Sequence, residues 1–392
     1  MFEQTTGIAG STDTNLAARR GTTVRRSLGL AGAALAFSLV ALPASATNWW
    51  SATPSVSIGS KIISVRTAGA LGDGRHNDTS AFQAAINSLP SSGGTITVPA
   101  GTYMIDAVRS INLRSHVRLR MSSGAKLVAL PNSSPRSSVI KASRVTNVEI
   151  TGGAIVGDRA RHIGTSGEWG MGINILASSK VYVHDLRVSD CWGDGLYIGA
   201  IGSAGHATPS TDVTVRSVVS TNNRRQGLSF GPVDRVFVYK STFSNTHGTK
   251  PEHGVDIEPQ IQGPARNIRL EANTMVGNRG NGLEMSDNVS AVVAKSNTIK
   301  GNHGFGVLIG GTSNNAWVTN NLITENGLDG VSLVSPARSI KITSNKITYN
   351  STRWFVTNNK SIYTLTSSSR DLDIPRTLRD ITVSGNTLSP RP

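Results

Sequence analysis

Four asparagines recur at a fixed step of 24 residues, Asn273, Asn297, Asn321 and Asn345. A second set, Asn278, Asn302, Asn326 and Asn350, keeps that step five residues later, and Gly282, Gly306 and Gly330 keep it too. A period of this length marks a chain that folds by stacking one small unit on the next. Within the unit, apolar residues alternate, as in Val331/Leu333 and Ile340/Ile342, which is the period of strands and not of helices. Two or three short strands per unit with Asn and Gly at the corners describe an all-β chain, a right-handed single-stranded parallel β-helix. Asparagines stacked at a corner bond side chain to backbone from coil to coil, and Asn tolerates the left-handed backbone expected at that corner.

The repeat continues towards the N-terminus with insertions. The glycine that opens each strand recurs as Gly172, Gly195, Gly227, Gly254, Gly282, Gly306 and Gly330, at spacings of 23, 32, 27, 28, 24 and 24. The downstream coils are minimal, and the middle coils carry extra loops at Gly157–Gly170, Gly199–Thr211, His247–Glu252 and Gln260–Ala265. Repeat proteins put such insertions on one face, often the binding face, so these four are expected to wall a groove.

The strand pattern locates a site in that groove. Positions one and three after the glycine are apolar and point inward, so positions two and four point outward. Position two reads Asn174, Tyr197, Ser229, Asp256, Glu284, Leu308 and Ser332; position four includes Gly199, Gly231, Glu258 and Ser286. Neighbouring strands are about 4.8 Å apart, which makes Asp256 and Glu284 stacked neighbours, and Glu258 lies about 7 Å along the strand from Asp256. Three carboxylates so close push one pKa up, which keeps an acid protonated beside an ionised partner. Such a pair supports acid and base work on a glycosidic bond. His253 and Asp194, each just before a strand glycine, join the catalytic candidates. Arg224 and Arg225 are candidates for holding a substrate carboxylate, and Tyr197 and Trp192 for stacking on sugar rings. The bland readings are a solvated strand edge or a cation site for the acids, a corner hydrogen bond for His253, plain surface charge for the arginines, and a corner or core role for Trp192.

Composition narrows the partner. The formal charge is +15; residues 1–46 hold four Arg against Glu3 and Asp13, contributing +2 and leaving +13. That excess favours an anionic partner. The basic residues are dispersed and no nucleic-acid module is legible, so an acidic polysaccharide or a cell surface is expected and nucleic acid is not, the plain alternative being charge that serves solubility alone. Residues 1–46 read as an export signal: paired arginines, an apolar run from Leu28 to Leu42, and Ala44-Ser45-Ala46 as a cleavage site before Thr47. The run is short for a membrane span, so none is expected after its removal. The expectation is a secreted or periplasmic monomer, with a linker over 47–60 and one β-helix domain over 61–392. The single cysteine, Cys191, is expected to be a buried structural thiol.

The block from Val65 to Ile105, "GALGDG…NDTSAFQAAI…GGTITVPAGTY", contains an amphipathic helix, Asp78–Asn87, with Asp78 or Thr79 as its N-cap. It is placed to cap the open end of the solenoid, which would otherwise present unpaired strand edges. This block resembles the N-terminal segment of the pectate-lyase superfamily, whose members include polygalacturonases, rhamnogalacturonases, mannuronan C5-epimerases and phage depolymerases. The resemblance implies a β-helix that works on carbohydrate. "WGDGLYI" and "EHGVDIE" resemble two coils of polygalacturonase-like hydrolases, although Arg225-Gln226 stands where those enzymes carry an aspartate pair between them. "GVDIEP" is similar to the catalytic segment of C5-epimerases, with Asp256 at their aspartate and Glu258 at their histidine.

Three function classes follow: an exported enzyme acting on an acidic polysaccharide, a non-catalytic β-helix that binds or guides it during export, and a surface adhesin or tailspike-like module. The convergence of Asp256, Glu258, Glu284 and His253 favours the first. Hydrolysis, needing no cofactor or resident metal, is placed slightly ahead of β-elimination, which would add a calcium ion, and of C5-epimerisation.

Overall fold

The structure is a computed structural model that describes residues 50–351, 353–357, 360–364 and 370–389. The expected export signal and cleavage site lie outside these residues. From Lys61 onward the described chain is mainly a succession of short parallel strands that pair with strands of the neighbouring coils. Ten of them, from Ile111–Asn112 to Leu372–Asp373, form one parallel sheet, here called the site sheet. The remaining faces of the solenoid form a continuous parallel sheet that includes Val233–Tyr239, Ala265–Glu271 and Val289–Lys295. An antiparallel pair, Arg353–Thr357 with Lys360–Thr364, interrupts the last turns.

Strand alternation fills the interior. Ile173, Leu196, Leu228, Val255, Leu283, Val307 and Val331 pair in register along the site sheet, and each is fully buried. They belong to one apolar core that runs from Val65 to Ile347. Each such side chain contributes roughly 1.5–3 kcal/mol when buried. The glycine before each strand is a matter of space: a Cβ on Gly282 would lie 2.8 Å from the Gly306 carbonyl oxygen and 2.4 Å from Ile299. No side chain fits where successive corners approach so closely.

The asparagines form two buried ladders. In one, the Asn297 side-chain oxygen accepts the Asn273 N–H (2.9 Å) and its Nδ2–H (3.1 Å), and the pattern repeats through Asn321 and Asn345 to Asn386. Each Nδ2 also donates to a strand carbonyl, as from Asn297 to Leu270 (3.0 Å). The second ladder runs from Asn278 through Asn302, Asn326 and Asn350 to Asp371. The corner conformation differs from the expectation. The left-handed residue is the one before each ladder asparagine: Ala272, Ser296, Asn320 and Ser344 in the first ladder, Gly277, Gly301, Glu325 and Tyr349 in the second. That residue turns the corner, which aims the next side chain inward, where its amide meets the backbone of the adjacent coil.

The helix spans Thr79–Asn87 and buries Phe82, Ala85 and Ile86 in the same core, with Phe82 edge-on to Tyr103 at 5.3 Å. Asp78 is its N-cap by position, but its carboxylate accepts the N–H groups of Leu71 (2.6 Å) and Gly72 (3.1 Å), tying the "GALGDG" loop to the helix. Residues 50–57, expected within a linker, lie against the outer face of the larger sheet. Ala52 and Ser51 accept from Tyr182 (2.9 Å) and Thr214 (3.3 Å), and the Ser57 N–H donates to Asn147 (3.0 Å).

Asn302→Ala removes the acceptor for two donors of Asn278 and the donor for the Met275 carbonyl. Leaving buried groups unpaired costs about 1–3 kcal/mol each, so this variant should lose about 3 kcal/mol in urea unfolding. Lys346→Ala, on an exposed position, should change stability by less than about 0.5 kcal/mol.

Candidate active site

The outward column of the site sheet is in the expected register. Lys141, Asn174, Tyr197, Ser229, Asp256, Glu284, Leu308 and Ser332 pair one after another. A cleft of about 540 Å³ runs over the coils from Lys141 to Asp256. Tyr197, Arg225 and Ser229 line its middle, Asp256 and Glu258 line its C-terminal end, and Trp169, Ala200 and Gln260 come from three of the four inserts. The fourth, His247–Glu252, does not line it; that loop closes on itself through a Gly248 N–H to Glu252 bond (2.5 Å). Glycines at position four make room for the Tyr197 ring, since a Cβ on Gly199 would come within 2.6 Å of the phenol oxygen.

Asp256 points out of the coil, yet it is only 4 % exposed. Its neighbours are side chains of its own and adjacent coils, Gln226, His253, Arg225, Glu258 and Glu284, which the alternation pattern alone does not register. The Gln226 side-chain amide donates to its carboxyl at 2.5 Å. Burial pushes the Asp256 pKa up to about 7; His253 and Arg225 pull it down, while Glu284 and Glu258 push it further up. Burial and the neighbouring Glu284 also raise Glu258.

Glu284 lies beside the cleft rather than in its lining. Burial acts to raise its pKa, but hydrogen bonds from His253 (2.6 Å) and from the Asn281 side-chain amide (2.7 Å) outweigh it, so the carboxyl titrates below its ordinary range. His253 is fixed on both sides. Its Nδ1 accepts the Asn281 N–H at 2.8 Å, which leaves Nε2 as the donor to Glu284. Gln226, His253 and Asn281 thereby form a third ladder: the Gln226 oxygen takes the His253 N–H (3.1 Å), and the Asn281 oxygen takes the Phe305 N–H (2.8 Å).

Asp194 is fully buried under the cleft floor. It accepts from Ser229 Oγ at 2.5 Å and from Arg225 at 3.2 and 3.3 Å. Burial raises its pKa and Arg225 opposes that rise. Arg225 also reaches Glu168 of the first insert at 3.4 Å, so it is held from two sides while it lines the cleft.

Arg224 and Trp192 are not in the cleft. The Arg224 guanidinium stacks on the Trp192 ring at 3.7 Å and donates to the Gly167 carbonyl (2.9 Å). The other contacts of Trp192 are His162, stacked at 3.9 Å, and the Ser166 carbonyl. Both residues pin the Gly157–Gly170 insert to the corner, so their ring and charge are committed to protein contacts. Two residues of the cleft, Arg136 and Lys141, escaped the sequence pattern because the coil at Arg136–Ser143 lacks the opening glycine, and Trp169 lies in the Gly157–Gly170 insert, where the pattern singles out no side chain. The alternation Ile140/Ala142 around Lys141 is the signal that marks it. Cys191 is buried, as expected, and burial raises its thiol pKa well above the usual range.

Residues 62–156 match a family model described as rhamnogalacturonase A/epimerase, pectate lyase-like, and residues 252–388 match one described as a right-handed β-helix region. The chain is a parallel β-helix protein whose N-terminal coils are similar to the pectate-lyase-like model and whose C-terminal coils are similar to the β-helix model. It is 28% identical over 245 residues to the uncharacterized protein YclG of Bacillus subtilis (strain 168), covering 55% of this chain and 42% of that protein. It is 30% identical over 199 residues to the SPbeta prophage-derived protein YorA of the same organism, covering 45% and 33%. The chain thus matches less than half the length of each relative. Among solved structures it is similar to the A-module of the Azotobacter vinelandii mannuronan C-5 epimerase AlgE4 (TM-score 0.64, 17% identity, 84% of this chain and 98% of that one). It is also similar to the Family 28 exopolygalacturonase of Yersinia enterocolitica (TM-score 0.53, 15% identity, 84% and 78%). At these identities the likeness is one of fold.

The raised pKa of Asp256 has a consequence for stability. Its folded-state value is above its unfolded one, so the contribution is present below the unfolded pKa and lost as pH rises from about 4 through about 7. Asp256→Asn carries no such loss. The variant should be more stable than the parent at about pH 8, by up to the order of 4 kcal/mol, and should show little advantage at about pH 4. Urea unfolding at the two pH values checks this; equal differences at both would contradict it.

Proposed function

We propose that this protein is an exported enzyme that cleaves an acidic polysaccharide by hydrolysis in the site-sheet cleft. One observation carries the reading: a buried carboxyl, Asp256, whose pKa burial pushes up to about 7, lines one cleft with the more exposed Glu258 and with Arg225. Asp256 is the acid that protonates the glycosidic oxygen as its bond to the anomeric carbon breaks. Glu258 is the base that takes a proton from the water attacking that carbon. Residues two apart in an extended chain are about 7 Å apart along the backbone, and carboxyl groups roughly 6.5–9.5 Å apart leave room for a water, so inversion of the anomeric configuration is the outcome this reading expects. Asp194 and Ser229 position Arg225, which meets the substrate carboxylate. The basic residues 1–46 and their apolar run support export.

A second reading is favoured by Arg225. A cation that neutralises a uronate carboxylate acidifies the α proton, and its removal leads to β-elimination or C5-epimerisation. The fold shared with a mannuronan epimerase is compatible with that reading. Incubation with a panel of acidic polysaccharides separates the two. New reducing ends without ultraviolet-absorbing unsaturated ends support hydrolysis. Both signals together mean elimination, and neither signal excludes both cleavage reactions.

If hydrolysis holds, Asp256→Asn and Glu258→Gln should each lose at least about a hundredfold in kcat/KM, and the parent rate should fall as pH rises through about 7. Retention on an acidic polysaccharide column should weaken at about 0.5 M salt, where the Debye length is below about 8 Å. Salt-insensitive retention would show that charge does not hold the polymer.

A further inference from the structure

The cleft extends well beyond the carboxyl pair, and only on one side. Towards the N-terminus the column continues through Ser229, Tyr197 and Asn174 to Lys141, four strand steps from Asp256. Towards the C-terminus it gives Glu284, Leu308 and Ser332, with no cation. The Lys141 ammonium has no ion-pair or hydrogen-bond partner among the described residues, whereas Arg225, which also lines the cleft, is positioned by Asp194 and Glu168. Beside Lys141, Arg136 lies over the Trp169 ring at 3.9 Å; it too has no carboxylate partner among the described residues, and the ring is 40% exposed. Asn174, next in the column, donates to Ser138 (3.1 Å) and keeps its side-chain oxygen buried without a partner. All four line the same cleft.

We infer that Lys141, Arg136 and Trp169 form a distal subsite that takes the carboxylate and ring face of a uronate unit, and that this subsite sets the length of chain the cleft prefers. The inference rests on the proposed acidic-polysaccharide substrate. A pyranose unit in an extended chain is about as long as one coil is high, about 4.8 Å, so four strand steps correspond to about four sugar units. A chain that reaches from Asp256 to Lys141 therefore has about five units. Shorter oligomers occupy the carboxyl pair without touching the distal cations. One charge-assisted contact in a partly desolvated cleft corresponds to about a tenfold gain in affinity.

The test uses purified oligogalacturonates and oligomannuronates of two to seven units, with binding read by calorimetry and by tryptophan fluorescence on the full chain carrying Asp256→Asn, which prevents turnover. Affinity should step up by about tenfold between four and six units. Adding Lys141→Met should lower hexamer affinity by about that factor, and Arg136→Gln should act in the same direction. Lys341→Met, which removes a cation on the far face beside Trp317, is the charge-matched control and should not do so. A smooth rise with length, or an equal loss from Lys141→Met and Lys341→Met, would overturn the distal subsite while leaving the proposed substrate class standing. Failure of every oligouronate to bind would remove that substrate class and the subsite with it.

Discussion

The structure depends on buried amides that bond one coil to the next. A parallel solenoid has no hairpins to fix its register, and a slip of one residue would turn every outward side chain into the core. Asn273 to Asn386 and Asn278 to Asp371 remove that freedom, because each side-chain oxygen accepts from the coil before it and each Nδ2 donates to a strand carbonyl. A buried amide left one coil out of step would be unpaired, so the ladders specify register as well as stability. The opening glycines add a steric condition at the same corners.

The third ladder carries this architecture into the chemistry. Because His253 occupies a ladder position, its Nδ1 is spent on the Asn281 N–H and its Nε2 is left to donate to Glu284. Glu284 is thereby kept ionised next to Asp256, where its charge adds to the effect of burial. The same corner supplies Gln226, whose amide spans the His253 N–H and the Asp256 carboxyl. Coil stacking, side-chain tautomer and the protonation of the buried acid are links of one chain. A change at the corner should therefore be felt at Asp256 without touching it.

Much of this was legible in the sequence, and the parts that were not share a physical cause. The period of 24 and the apolar alternation place Asp256 and Glu284 on one face, and the strand register agrees; Glu258 follows just after the strand ends at Ile257. Alternation describes one strand at a time. It does not show that Asp256 is buried although it faces outward, nor that Arg224 and Trp192 turn towards the Gly157–Gly170 insert and each other. The left-handed corner residue was displaced by one position for a similar reason: composition marks the asparagine, but Ala272 or Ser296 takes the unusual backbone because the following amide must face inward. Lys141 lay hidden because its coil has neither the opening glycine nor a ladder asparagine, so the repeat could not be followed that far.

The most direct test of the account is the titration of the Asp256 carboxyl itself. Selective carbon labelling of aspartate, with Asp256→Asn to assign the resonance, gives its pKa by NMR. The account expects a transition near 7, moving down in Glu284→Gln, where the neighbouring negative charge is gone. A transition near the ordinary aspartate value of about 3.9, unaffected by Glu284→Gln, would contradict it and leave the cleft without a proton donor at neutral pH.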